Sequence, residues 1–210
     1  TQDEVDMIGE VGNISMSQAA TTLSSLLNKE GKITTPRVTQ STLKEILEEK
    51  GVNFWKGNTS RGFLDARGLE FLPEGDMGSA YSQQWRNSGG WYDADYGVDQ
   101  LSRLVQGLKK NPYGRRHIVS LWNPSEEHLM PLTPCWWACQ FVVLPESGVD
   151  TLHLKLVNRS LDILYGAPFA LQQYRMFQMA LAIMLDMRVG NISADLSQVH
   201  IYNNQIDWAK

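Results

Sequence analysis

The chain has 210 residues, a net charge of −4, 42% hydrophobic and 20% charged residues. That is chain enough for a real core, with the balance of an ordinary soluble globular protein, and no global basic field speaks for nucleic acid or an anionic membrane. The first residues are acidic and lack the apolar stretch of a signal peptide, and the longest apolar run, around Met176 to Met187, is broken by Gln178 and Asp186. Cys135 and Cys139 are too far apart along a strand for a disulfide and have no clustered histidines for zinc. This usage fits a reducing cytoplasm, and no metal is expected.

In chain order, Asp3, Glu4 and Asp6 suit a first helical turn, which Gly12-Asn13 interrupts. A second helix, about Ser15 to Leu27, is marked by Ala19, Ala20, Leu23, Leu26 and Leu27, and the stretch Asn28 to Gly31 stops it. Ile33 to Val38 is short and β-like around Pro36. Leu43, Ile46 and Leu47 predict another helix, with Gly51 as its stop. Trp55 stands beside the turn-like GNTSRG; composition alone makes it a core residue. Residues 74–96 are dense in glycine, serine and aspartate and carry Tyr81, Trp85, Trp91, Tyr92 and Tyr96, which predicts a pocket-lining loop.

Gly97 to Lys110 reads as an amphipathic helix with Val98, Leu101, Leu104, Val105 and Leu108 on one stripe. After the turn Asn111-Pro112-Tyr113-Gly114, Arg115-Arg116 opens a strand, HIVSLWNP. Adjacent arginines on a strand face opposite ways, so both serve one anion only at a loop or strand end. WWACQFVVL and TLHLKLVN are two β runs at hairpin spacing around PESGVD. A long apolar helix follows, about Phe169 to Leu185, and VHIYNN is strand-like, with His200 and Tyr202 on one face.

Cys139 reads as a buried apolar residue. Cys135 follows Pro134 at a strand start, where a side chain can be exposed, and arginines brought near it by the fold would favour a thiolate. Arg159-Ser160 sets a guanidinium fork beside a hydroxyl, a compact phosphate clamp. The centre of the chain therefore predicts a thiol nucleophile next to an anion site.

Two resemblances overlay this reading. Asp6, Glu10, Asn13 and Pro36, with GNIS and AATTLSSLLN around them, resemble the start of the CheC/FliY family of response-regulator phosphatases. That resemblance implies a response regulator as partner, with Asn13 orienting the attacking water and Glu10 forming a salt bridge to the partner. Then GDMGSAYSQQWR, RRHIVSLWNP, LTPCWWACQF, NRSLDILYGAPF and HIYNNQ stand in the order and spacing of the thymidylate synthase family, over about Leu43 to Asp207. This implies an α/β fold, a curved mixed sheet with flanking helices, in a homodimer whose sheets pack face to face. Residues 1–40 are read as an incomplete CheC/FliY-like helical segment. Residues 41–210 are read as a thymidylate synthase-like domain without the family's N-terminal and C-terminal parts.

The second resemblance also implies roles. Cys135 would add to C6 of a pyrimidine nucleoside monophosphate, with 5,10-methylenetetrahydrofolate as co-substrate and Tyr81 in the proton-handling network. Arg159 and Ser160 would bind the phosphate, and Arg115 and Arg116 would reach the phosphate of the neighbouring subunit. His200 and Tyr202 would hold the sugar hydroxyl, with Asn158 and Ala170 at the sugar and base end. Trp55, Asp162 and Gly166 would line the folate site. The family usually has histidine at Trp136, glutamine at Asn158 and a base-reading asparagine at Ala170. The expected reaction is conversion of dUMP to dTMP. The alternatives are a phage-type hydroxymethylase of dUMP or dCMP, a signalling phosphatase acting through the first segment, and an inactive fusion.

Overall fold

The computed structural model describes residues 56–90 and 96–208. The helices read at Ser15–Leu27 and around Leu43–Leu47, with Asp6, Glu10, Asn13, Pro36, Trp55, Trp91 and Tyr92, lie outside the described residues. The described part is a mixed sheet with helices packed against it.

Two short helices come first, α1 (Arg61–Asp65) and α2 (Tyr81–Asn87). The stretch read as a loop thus contains a helix. Its inward residue Gln84 is polar, so α2 shows no apolar stripe to reveal it. Helix α3 (Gln100–Lys110) starts three residues later than its stripe suggests. The Asp99 side chain caps it by accepting the Ser102 N–H at 2.8 Å. Lys109 and Lys110 sit in its last turn, where the helix dipole favours cations, and Leu104 and Leu108 are buried.

The main sheet has the order β1-β2-β3-β5, from β1 (Ile118–Ser120), β2 (Trp136–Glu146), β3 (Val149–Asn158) and β5 (Arg188–Leu196). The strand expected from Arg115 starts only at Ile118, and the arginine pair lies in irregular backbone between the turn at 112–113 and the strand. β2 and β3 form the expected hairpin around Ser147-Gly148, both at positive φ (53° and 78°), as a two-residue turn between twisted strands requires. β3 runs parallel to β5, and the crossover between them contains α4 (Gly166–Met184). Helix α4 begins three residues before the predicted start, since Pro168 is tolerated in a first turn. Strand β5 was not expected from the sequence. Two short parallel strands, β4 (Leu161–Asp162) and β6 (Val199–His200), form a second sheet, so the predicted VHIYNN strand is only two residues long.

The core lies between the helices and one face of the sheet. Leu104 and Leu108 of α3 and Leu181 and Ala182 of α4 pack there with Phe141, Leu152, Leu154 and Leu156. β3 and β5 are out of step between Leu152 and Leu154, and α4 binds this irregularity: Gln178, fully buried, donates to Leu152 O at 2.7 Å and Gly190 O at 3.3 Å. The other sheet face leaves Ile118, Trp137 and Leu144 exposed. Among the described residues no helix is long and apolar enough to cross a membrane, and no cluster suits a metal ion.

Candidate active site

Cys135 is half-buried immediately before β2. Two side chains converge on it. From the start of α2, the Tyr81 hydroxyl accepts the N–H groups of Cys135 (2.8 Å) and Trp136 (3.2 Å). Both bonds end on the phenol oxygen, which leaves its own proton available for donation. Burial, then the neighbouring Cys135, pushes the Tyr81 phenol up from 10.0 to about 12, against the pull of those N–H groups and Arg159.

Arg159 follows β3 and faces the same loop. It donates from Nε to Pro134 O (3.0 Å) and from Nη2 to Thr133 O and Oγ1 (both 2.9 Å). The same Nη2 lies 3.9 Å from Cys135 Sγ, and the guanidinium stands 5.6 Å from the Trp122 ring centre. The Arg159 N–H donates to Cys135 O at 2.9 Å, so backbone and side chain both tie this arginine to the cysteine loop. Ser160 comes next and is partly exposed.

Behind the thiol the site is apolar. Trp136 is buried and meets the Tyr174 ring edge-on at 5.8 Å, in the cluster that includes Ala167 and Ala170. Cys139 belongs to the same cluster, and burial pushes its thiol up from 9.0 to about 12. Tyr174 is raised too, by burial and then by Cys139 and Tyr81. Asn158, the strand partner of Trp136, is 1% exposed, and both its side-chain polar atoms lack a partner among the described residues. Trp136, Asn158 and Ala170, the three departures from the family pattern, are therefore all buried at this end of the site.

A second group adjoins through residues 158–162. Asp162 and His200 are strand partners in β4 and β6, and the His200 and Tyr202 rings meet edge to face at 4.9 Å. The Asp162 carboxylate accepts the Leu164 N–H (3.1 Å) through Oδ1 and the amide of Gln205 (2.9 Å) through Oδ2. Gly166 opens α4 close to Asp162, where an added Cβ would stand 3.3 Å from the Asp162 Cβ.

Arg115 and Arg116 are not brought to this centre. They are exposed, and their side chains have no partner among the described residues. Ile118 pairs with Gln140, so the arginines lie near the far half of β2, roughly 20 Å along the strand from Cys135. Trp55, Glu10 and Asn13 lie outside the described residues. Sequence reasoning missed Thr133, Trp122 and Gln205. All three lie within quoted motifs, Thr133 in LTPC, Trp122 in RRHIVSLWNP and Gln205 in HIYNNQ, so their signal was proximity.

Residues 37–210 match the family model described as thymidylate synthase, and residues 4–39 match one described as CheC-like. A thymidylate synthase of Candida albicans is 41% identical over 192 residues, which cover 82% of this chain and 61% of that protein. One of Saccharomyces cerevisiae is 39% identical, covering 79% of this chain and 58% of its own length. A bifunctional dihydrofolate reductase-thymidylate synthase of Daucus carota is 39% identical over 80% of this chain and 32% of that protein. The chain spans about three fifths of the length of the first two relatives.

Proposed function

The chain belongs to the thymidylate synthase family, and from that premise we propose that it transfers a one-carbon unit from methylenetetrahydrofolate to C5 of dUMP, giving dTMP. The observation that carries this reading is the convergence of Tyr81 and Arg159 on Cys135. The Cys135 sulfur adds to C6 of the pyrimidine, and the electron pair moved onto C5 makes that carbon the nucleophile toward the methylene carbon. Loss of the C5 proton expels tetrahydrofolate by breaking its bond to the methylene, hydride return from that tetrahydrofolate gives the methyl group and dihydrofolate, and the Cys135 sulfur leaves C6 as the ring double bond re-forms. Tyr81 contributes a hydroxyl with a free proton at the reacting end. Arg159, with Ser160 beside it, supplies the charge for a phosphate dianion. His200 and Tyr202 take the sugar, Asn158 and Ala170 border the sugar and base, and Asp162 and Gly166 border the folate.

The same reading makes the working unit a homodimer in a reducing cytoplasm, with Arg115 and Arg116 serving the neighbouring subunit's phosphate. Their separation from their own Cys135 and the exposed apolar sheet face around Ile118, Trp137 and Leu144 support it. Tritium release from C5-labelled dUMP with methylenetetrahydrofolate is the test. Release abolished by Cys135→Ala is the expected result; no release from the unaltered chain overturns the reading. Product mass separates a methyl from a hydroxymethyl group.

A second reading concerns residues 4–39 alone and rests on their CheC-like match. Glu10 and Asn13 would act on an aspartyl phosphate of a response regulator. Faster loss of that phosphate, abolished by Asn13→Ala, is the result expected; no acceleration removes the reading.

A further inference from the structure

Next to Tyr81 lies a buried polar hub that the proposed chemistry does not use. Gln84 stands three residues along α2 from Tyr81, on the neighbouring part of the helix surface, and is 0% exposed. Its amide is engaged on both sides. Nε2 donates to Glu126 Oε2 (2.7 Å) and Ser79 O (2.8 Å), while Oε1 accepts from Ser88 Oγ (3.0 Å) and Asn123 Nδ2 (3.3 Å). The Gln84 carbonyl accepts from Gln100 Nε2 at 2.8 Å, and the Gln100 amide also binds the N–H and carbonyl of Ser120 in β1. The Gln84 side chain therefore joins α2 to the Asn123–Glu126 turn, and its backbone carbonyl joins α2 through Gln100 to the sheet.

Glu126 is the costly member. It is 2% exposed, and its Oε1 has no partner among the described residues. A carboxyl buried with so little compensation is poor packing material, since an apolar residue of similar size commonly does as well or better. Helix α2 explains what it contributes. The helix has seven residues and no side-chain cap at Ala80, too short to hold itself. The bonds at Gln84 hold its buried face, beside the contacts of Trp85 with Phe177 and of Arg86 with Asp99. The rotation of the helix decides whether the Tyr81 hydroxyl meets the N–H groups of Cys135 and Trp136.

We infer that Glu126 is a positioning residue for the Cys135 site, acting through Gln84 to hold α2 so that the Tyr81 hydroxyl stays on the Cys135 and Trp136 N–H groups. The kinetic part of this inference rests on the proposed one-carbon transfer; the part that concerns the Cys135 thiol does not.

The experiment uses the full chain with Glu126→Ala, Glu126→Gln and, as a benchmark, Tyr81→Phe. Alkylation of Cys135 by iodoacetamide is followed by mass spectrometry as a function of pH, with buried Cys139 as internal control. kcat and KM for tritium release from C5-labelled dUMP are measured alongside. Glu126→Ala is expected to displace the pH profile of Cys135 alkylation in the same direction as Tyr81→Phe. It should lower kcat about tenfold with KM within about twofold, as a misplaced catalytic group does. Glu126→Gln, which keeps an oxygen facing Gln84, should restore both readouts. Where the alanine variant does not fold, Glu126→Met, close in volume, replaces it. A variant that loses thermal stability but keeps the wild-type alkylation profile overturns the inference and leaves Glu126 a core residue. If the wild-type chain releases no tritium, the proposed reaction fails, while the alkylation profile still decides the role of Glu126.

Discussion

At the scale of single residues, the titrating groups of the interior set a limit on alkaline stability. The Cys139 thiol is raised from 9.0 to about 12, chiefly by burial. A thiol with a raised folded value keeps its proton in the folded chain after the unfolded chain has released it. Its contribution to stability is therefore complete below about pH 9 and lost as pH climbs toward about 12. Tyr81 acts in the same sense between 10 and about 12. Urea unfolding of the wild-type chain should show stability falling above about pH 9 by at most about 1.4 kcal/mol per pH unit for each such group. Cys139→Ala should flatten that fall while lowering stability at neutral pH through the lost packing. An unchanged slope in the variant would remove Cys139 as its cause. Cys135 and Arg159 were legible in the sequence because Pro-Cys and Arg-Ser are local patterns with a chemical meaning. The Gln84–Glu126 contact was not, because it joins residues 42 positions apart that look like ordinary surface residue types.

At the scale of elements, the β2–β3 hairpin and α4 could be read because their apolar periodicity is long and their turns carry recognisable residues. Helix α2 hides among glycine, serine and aspartate, and its inward face is a glutamine. Strand β5 hides because it lies at the sheet edge with most of its side chains exposed, which removes the alternation a reader looks for. The end of α4 shows a further local conflict. Met187 N–H returns to Ala182 O at 2.8 Å and Asp186 N–H to Ile183 O at 3.2 Å, the paired bonds of a helix C-terminus closed by a left-handed residue. That residue is Asp186, with φ 53°, where glycine carries no Cβ penalty. Asp186 is exposed and makes no side-chain bond among the described residues, so Asp186→Gly removes strain and little else. The variant should gain about 0.5–1 kcal/mol, a rise of about 1–4 °C in Tm by scanning calorimetry. A lower Tm would contradict this account of the cap.

At the scale of the whole molecule, the arginine pair gives the proposed dimer its functional content. Arg115 and Arg116 project from the segment before β1, and the register of β1 on β2 keeps them far from the Cys135 of their own chain. The segment that carries them is anchored: His117 is buried with Nε2 2.8 Å from Asn111 O, and the Tyr113 hydroxyl donates to Asp150 at 2.6 Å. Anchored at the base and unpartnered at their heads among the described residues, these arginines are free to meet an anion outside their own subunit, as the proposed dimer requires. In the proposed two-fold dimer that anion would be the nucleotide phosphate of the other subunit, and the arrangement would be reciprocal. Mixing experiments follow. A Cys135→Ala chain and an Arg115→Ala, Arg116→Ala chain should each be nearly inactive alone. If subunits exchange at equal concentration, half of the dimers are mixed, and each mixed dimer holds one site with both the thiol and the partner's arginines. Tritium release should then recover to about a quarter of the wild-type rate per site. If the arginines served their own chain, each mixed dimer would have one site without the thiol and one without the arginines, and mixing would restore nothing. Recovery that falls on dilution below the dimer dissociation constant would show that the restored activity belongs to the assembled pair.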